Sequence, residues 1–215
     1  MSTKFLFLIE NYYKKRYNKN MLFRKKEEIE SWLNQYDIDN YELIPNEEYG
    51  YVVNVNDNVI MNHCMLKNIE VKFNKVNGNF NCGFNGLTSL KGCPEIVTGD
   101  FNCYFNELKS LKYCPKIIGK ELDCSYNVLE SLKYVPSNLK KLDISNNNVS
   151  IDSLKFLSEV INLININHNP KLGNLQEIRD INELKEKVNI YFEKENLLNI
   201  IKKEELNKNI NITKL

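Results

Sequence analysis

Between residues 59 and 172 the apolar and polar positions fall into fixed columns that recur about every twenty residues. Residues 80–100 read FNCGFNGLTSLKGCPEIVTGD and residues 101–121 read FNCYFNELKSLKYCPKIIGKE, aligned without a gap. A third copy, LDCSYNVLESLKYVPSNLKK at 122–141, is one residue shorter. The reference column reads Cys64, Asn85, Asn106, Asn127, Asn147 and Asn169. Three residues earlier stand Met61, Cys82, Cys103, Cys124, Ile144 and Ile166; five earlier stand Val59, Phe80, Phe101, Leu122, Leu142 and Ile164. That spacing of two is strand alternation with one face turned inward. The Asn ends the strand, where a buried amide bonds the backbone of neighbouring turns. Leu66, Leu87, Leu108, Leu129 and Val149 follow it, and Ile69, Leu90, Leu111 and Leu132 close the far side of the turn. Pro94, Pro115 and Pro136 mark an extended return, which suits their fixed φ. Six copies at such a period predict a solenoid over residues 59–172, with one parallel strand per coil.

The flanks read as caps for the two ends, because a solenoid end exposes apolar core and strand edge. In residues 1–58, Lys4 to Tyr13 fits either a strand or a short helix. Ile29, Trp32, Leu33 and Tyr36 lie on one helical face, predicting a helix near 26–36 that packs on the first coil. Ile38 to Ile44 reads as a strand stopped by Pro45. Asn56-Asp57-Asn58 reads as a turn closing a hairpin between Tyr51–Val55 and Val59–Met61. Beyond Asn147, Leu154, Leu157 and Val160 predict a short helix with Ser150 or Asp152 as N-cap. In residues 173–215 the stripe Leu175, Ile178, Ile181, Leu184 and Val188, continued by Leu197, Leu198, Ile201 and Leu206, predicts a helical C-terminal cap.

The pattern L-x-x-L-x-L-x-x-N/C-x-L, sharpest at Leu139-x-x-Leu142-x-Ile144-x-x-Asn147-x-Val149, resembles the leucine-rich repeat. The copies reading F-x-C-x-x-N-x-L-x-S-L-x-x-C-P are similar to a variant found in phage, giant-virus and low-GC bacterial proteins. The resemblance implies an α/β repeat fold: a short leucine-rich-repeat solenoid with a mixed N-terminal cap and a helical C-terminal cap. It also implies a non-catalytic protein-binding module that uses the outward strand face. By the same resemblance the chain is expected to be a phage or viral protein engaging a host or viral protein. The alternative is a structural or self-associating scaffold, or a virion component.

Composition and chemistry narrow this further. A formal net charge of +1 argues against a protein built for nucleic acid or an anionic membrane. The basic run Lys14, Lys15, Arg16, Lys19, Arg24, Lys25, Lys26 is followed at once by Glu27, Glu28 and Glu30 and reads as solvated surface. There is no transmembrane run, and Phe5 to Ile9 is too short for a signal-peptide core. The six cysteines follow the repeat spacing and form no C-x₂-C pair. They are expected to be reduced core thiols in a cytoplasmic protein with no metal or cofactor. His63 and His168 stand at opposite ends of the array, about 20–25 Å apart at ~4.8 Å per coil, too far for one catalytic site. No nucleophile or phosphate-binding motif appears, so no enzymatic activity is expected.

The surface remains. The outward columns carry Phe84, Phe105 and Tyr126 one residue before the Asn, Tyr104 two before it, and Asp123 and Asp143 four before it. With Asp100 and Glu121 this face would repel phosphate and attract a protein partner with a basic surface. The candidate binding centre is therefore Phe84, Tyr104, Phe105, Asp123, Tyr126 and Asp143. Two readings of its aromatics stay open: anchors for a partner, or a ladder packing on itself along neighbouring coils.

Overall fold

The computed structural model describes residues 25–158, 161–177 and 182–186. Its centre is a solenoid of stacked parallel strands making about five turns. The front sheet has six strands, each from one copy of the repeat: β3 (Val59–Ile60), β5 (Phe80–Asn81), β7 (Phe101–Asn102), β9 (Glu121–Asp123), β10 (Lys141–Asp143) and β11 (Leu163–Asn165). All its pairings are parallel and join equivalent columns, Phe80 with Phe101 and Leu122 with Leu142 among them.

The coils also build a second sheet. It comprises β1 (Tyr41–Asn46), β2 (Gly50–Val55), β4 (Phe73–Val76), β6 (Ile96–Val97) and β8 (Ile117–Ile118), in the order β1-β2-β4-β6-β8. Two of these strands directly follow Pro94 and Pro115, so the extended return continues as a short parallel strand. One strand per coil, as expected from the columns, is thus too few in the central coils. A tight corner returns the chain from back sheet to front sheet. At Gly119 the corner brings the backbone against the carbonyl of Thr98, and a Cβ there would collide with it.

The N-terminal end shows two departures from expectation. Asn56-Asp57-Asn58 is a corner between sheets rather than a hairpin turn: Val59–Ile60 pairs in parallel with Phe80–Asn81. The hairpin is one element earlier, between β1 and β2, antiparallel with Pro45 opposite Tyr51. Pro45 lies within β1, which pairs on one side only, and an edge strand tolerates a residue without an N–H. The helix α1 (Lys26–Asn34) forms where expected and buries Ile29, Trp32 and Leu33. Trp32 meets Phe73 edge-on at 6.2 Å, and Tyr36 leans on Trp32 at 4.6 Å. The expected helix after Ser150 is a 3₁₀ helix, Ile151–Phe156, with no side-chain cap. Of the C-terminal stripe, Leu184 is buried and Lys185 Nζ donates to the Ile161 carbonyl at 3.3 Å. Ile178, Ile181, Val188 and the stripe beyond lie outside the described residues, as does the basic run up to Arg24.

The core is the inward columns. Phe80, Cys82, Phe101, Cys103, Leu122 and Cys124 are fully buried, and Phe80 stacks on Phe101 at 5.6 Å. All six cysteines are free, with Cys64 and Cys114 half-buried. Burial pushes the Cys93, Cys103, Cys114 and Cys124 thiols well up, so they are neutral packing groups at physiological pH.

The Asn column ties the coils together. Asn106 Oδ1 accepts from Leu87 N–H of the preceding coil at 2.9 Å, while its Nδ2 donates to the Cys82 carbonyl of that coil at 3.0 Å and to its own Cys103 carbonyl at 3.1 Å. Asn85, Asn127, Asn147 and Asn169 repeat this arrangement. Cys64 stands in the first coil, and among the described residues no coil precedes it to be bridged, which accounts for the missing amide.

Two outcomes test this architecture. Cys103→Ala should cost about 1–2 kcal/mol by the cavity argument, whereas Cys103→Asp buries an unpartnered charge and should unfold the middle coils. Circular-dichroism melting checks both, and an aspartate variant melting like the wild type would disprove the inward column. Asn106→Leu strands one N–H and two carbonyls at about 1 kcal/mol or more each, so a loss of at least ~3 kcal/mol is expected in a urea titration.

Candidate binding face

Three residues past the end of each front strand stands a residue with left-handed backbone. His63, Phe84, Phe105, Tyr126, Asn146 and His168 have φ between 48° and 58°. This conformation is unfavourable for a bulky side chain, yet it recurs in all six copies, always one residue before the Asn column. The turn is held from both sides. Phe84 N–H donates to the Tyr104 carbonyl at 3.0 Å and Tyr126 N–H to the Ser145 carbonyl at 2.9 Å, while the following Asn bonds inward. None of the six positions carries a β-branched residue, which is the one trace of this geometry in the sequence.

The consequence is a stack of rings. His63 lies on Phe84 at 4.2 Å, Phe84 on Phe105 at 4.4 Å and Phe105 on Tyr126 at 4.3 Å, with interplanar angles of 17°, 8° and 13°. The self-packing ladder therefore exists. It is also a surface: Phe84, Phe105 and Tyr126 remain 38%, 42% and 47% exposed. Phe84 and Phe105 have a ring on both faces, while Tyr126 ends the stack with a ring on one face only. Tyr104 is half-buried and meets Phe84 edge-on at 5.2 Å. It needs Gly83 beneath it, since a Cβ there would come within 2.7 Å of the Tyr104 ring.

Beside the rings runs an acidic strip. Asp123 and Asp143 are register partners on β9 and β10. Asp123 Oδ1 accepts from Ser125 N–H at 3.0 Å and Ser125 Oγ–H at 2.6 Å, and Asp143 is held identically by Ser145 at 2.8 and 2.6 Å. Asp143 Oδ2 also accepts from Asn165 Nδ2 at 2.9 Å. Both carboxylates are thus anchored to their own strands. Burial raises the Asp123 carboxyl above its ordinary value, against the Ser125 hydrogen bonds that lower it. Glu121 is raised as well, by burial first and then by Asp100, Asp123 and Asp143, with Lys141 opposing.

The six residues singled out from the sequence therefore form one patch, with three in the ring stack, Tyr104 against it and the two aspartates side by side. The sequence reading omitted His63, which extends the stack, and the Ser125 and Ser145 hydroxyls that fix the carboxylates. No group of three or more His, Cys, Asp or Glu side chains is arranged to hold a metal among the described residues. No helix among them is long and apolar enough to cross a membrane. Comparison with protein-family models, with curated proteins and with solved structures gives no match.

The strip has a titration signature. For Glu121 and Asp123 the folded value lies above the unfolded one, so the ionised form burdens the folded state and stability falls as pH rises through the folded value. Glu95, lowered by Lys116 and Lys72, behaves oppositely: its contribution is present at neutral pH and lost on acidification. Glu121→Gln should raise the melting temperature at pH 7 by about 1–2 °C, the scale of a surface change of ~0.5 kcal/mol. The gain should vanish below the carboxylate range. A Glu121→Gln protein that melts lower than the wild type at pH 7 would show the strip to be stabilising instead.

Proposed function

We propose that the chain is a non-catalytic protein-binding module of the leucine-rich-repeat type, acting through its front strand face on a partner with a basic surface. The observation that carries this reading is the exposed ring stack of Phe84, Phe105 and Tyr126 lying beside anchored carboxylates. Exposed aromatics on a rigid sheet lose little side-chain freedom on binding, which is why such residues dominate interface energetics. Because Phe84 and Phe105 have a ring on both faces, a bound cation gains little from the faces of those two rings. The charged tips of partner Lys or Arg residues go to Asp123 and Asp143, and their aliphatic stems lie along the ring edges. Asp100 and Glu121 widen the negative field and speed encounter with such a partner. The repeat pattern of the central copies supports the leucine-rich-repeat assignment, and with it a phage or viral protein acting on a host or viral protein.

The test is capture followed by titration. Immobilised chain is used to recover partners from lysate, and the recovered protein is titrated against wild type and the double variant Tyr104→Ala with Tyr126→Ala. The double variant should keep its fold and bind at least tenfold more weakly, since ~1.4 kcal/mol suffices for that factor. Lys75→Ala, on the back sheet, should bind normally. Equal binding by the double variant would move the site elsewhere, and loss of fold would make the rings structural only.

A further inference from the structure

Outside both sheets, three successive coils each carry a lysine followed by an aromatic residue. Lys112 Nζ lies 5.1 Å over the Tyr113 ring, Lys133 5.6 Å over Tyr134, and Lys155 5.3 Å over Phe156. All six side chains are exposed, the aromatics by 49%, 43% and 39%. Each pair directly precedes the return segment of its coil. Next to the first two lies a groove whose lining includes Tyr49, Lys72, Glu95 and Lys116. Glu95 there bridges Lys72 and Lys116, both at 2.8 Å. Among the described residues the lysines of the three pairs have no carboxylate within ion-pair distance, and all three side chains are exposed.

This edge matches the front face of the same molecule. Carboxylates on the front occupy three successive coils: Asp100, then Glu121 with Asp123, then Asp143. Lys112 and Lys133 stand six residues past Asn106 and Asn127, and Lys155 eight past Asn147. The row thus advances by one lysine per coil while the carboxylates advance by one or two per coil, and with parallel axes the two rows run side by side. We infer that a second copy of this chain docks on the front face through its lysine–aromatic edge, front to back. The inference rests on the front face being a binding surface, and it names the basic partner as the chain's own Lys112, Lys133 and Lys155 row. Such a contact joins two different surfaces and leaves one of each free, so it propagates instead of closing into a dimer.

The experiment is sedimentation velocity on the full chain and two charge-neutralised variants. Lys112→Gln, Lys133→Gln and Lys155→Gln together remove the edge. Asp100→Asn, Glu121→Gln, Asp123→Asn and Asp143→Asn together remove the strip, the aspartates taking the residue that Asn79, Asn81, Asn102 and Asn165 already place in those columns. At about 200 μM, which reveals contacts weaker than micromolar, and about 50 mM salt, the wild type should exceed dimer mass. It should return to monomer at about 500 mM salt, where the screening length is about threefold shorter. Each variant alone should stay monomeric. Mixed, they should form dimers and nothing larger, because only one intact edge and one intact strip remain. A wild type that stays monomeric at low salt overturns the inference, as does either variant associating like the wild type. If the wild type is monomeric while the tyrosine double variant still loses its captured partner, only this inference fails. If capture is also unaffected by the tyrosine changes, the front-face reading fails with it.

Discussion

The structure depends on one buried amide per coil. Turning a strand sharply with left-handed backbone interrupts the sheet ladder and frees N–H and C=O groups just where the chain enters the interior. Unpaired, each would cost about 1–3 kcal/mol. The Asn side chain serves both coils at once, accepting from the N–H of the coil before and donating to carbonyls of both. Among the described residues no buried side-chain polar atom lacks a partner. A hydroxyl has too few hydrogens for this, and a carboxylate has none, so the column is Asn wherever a preceding coil exists. The first coil, with no coil before it among the described residues, carries Cys64, whose backbone N–H instead donates to Asn85 Oδ1 at 3.0 Å.

The same turn creates the surface. A left-handed residue immediately before each Asn holds its side chain in the same place in every coil, and aromatic residues at that place stack with the pitch of the sheet. The ring stack thus follows from the amide ladder and needs no partner to order it. Packing and recognition are not competing accounts of Phe84, Phe105 and Tyr126. The stack fixes their rotamers, and about two fifths of each side chain is left to solvent. Carboxylates are fixed by a parallel device, the Ser two residues onward.

Legibility in the sequence followed how strongly a feature repeats. The inward columns, the Asn positions, α1 and the six front strands were readable, because Phe80, Cys82 and Asn85 recur as a set. The back sheet was not. Ile96-Val97 and Ile117-Ile118 are two-residue strands, too short to show alternation, and the prolines before them read as a connection. The corner at Asn56-Asp57-Asn58 has the composition of a hairpin turn, and only the pairing of Val59 with Phe80 tells the two apart. The site residues were readable as columns, but their backbone was not, since Phe or Tyr gives no expectation of positive φ. Ser125 and Ser145 lie two residues after Asp123 and Asp143, and their role appears only in the hydrogen bonds that they donate to those carboxylates.

A net charge of +1 conceals how the charges are arranged. In a solenoid, any charge placed in a column is aligned with its equivalents along the axis, so a few substitutions within columns produce a continuous strip. Here Asn58, Asn79, Asn81 and Asn102 keep the early part of the face largely neutral, while Asp100, Glu121, Asp123 and Asp143 charge the third to fifth coils. The exposed aromatics sit one coil earlier, in the second to fourth. The two features are offset along the axis, so the face has a direction. A partner that reads both rings and carboxylates is fixed in orientation and register by that offset, whereas a uniformly acidic or uniformly aromatic face would let it slide by whole coils.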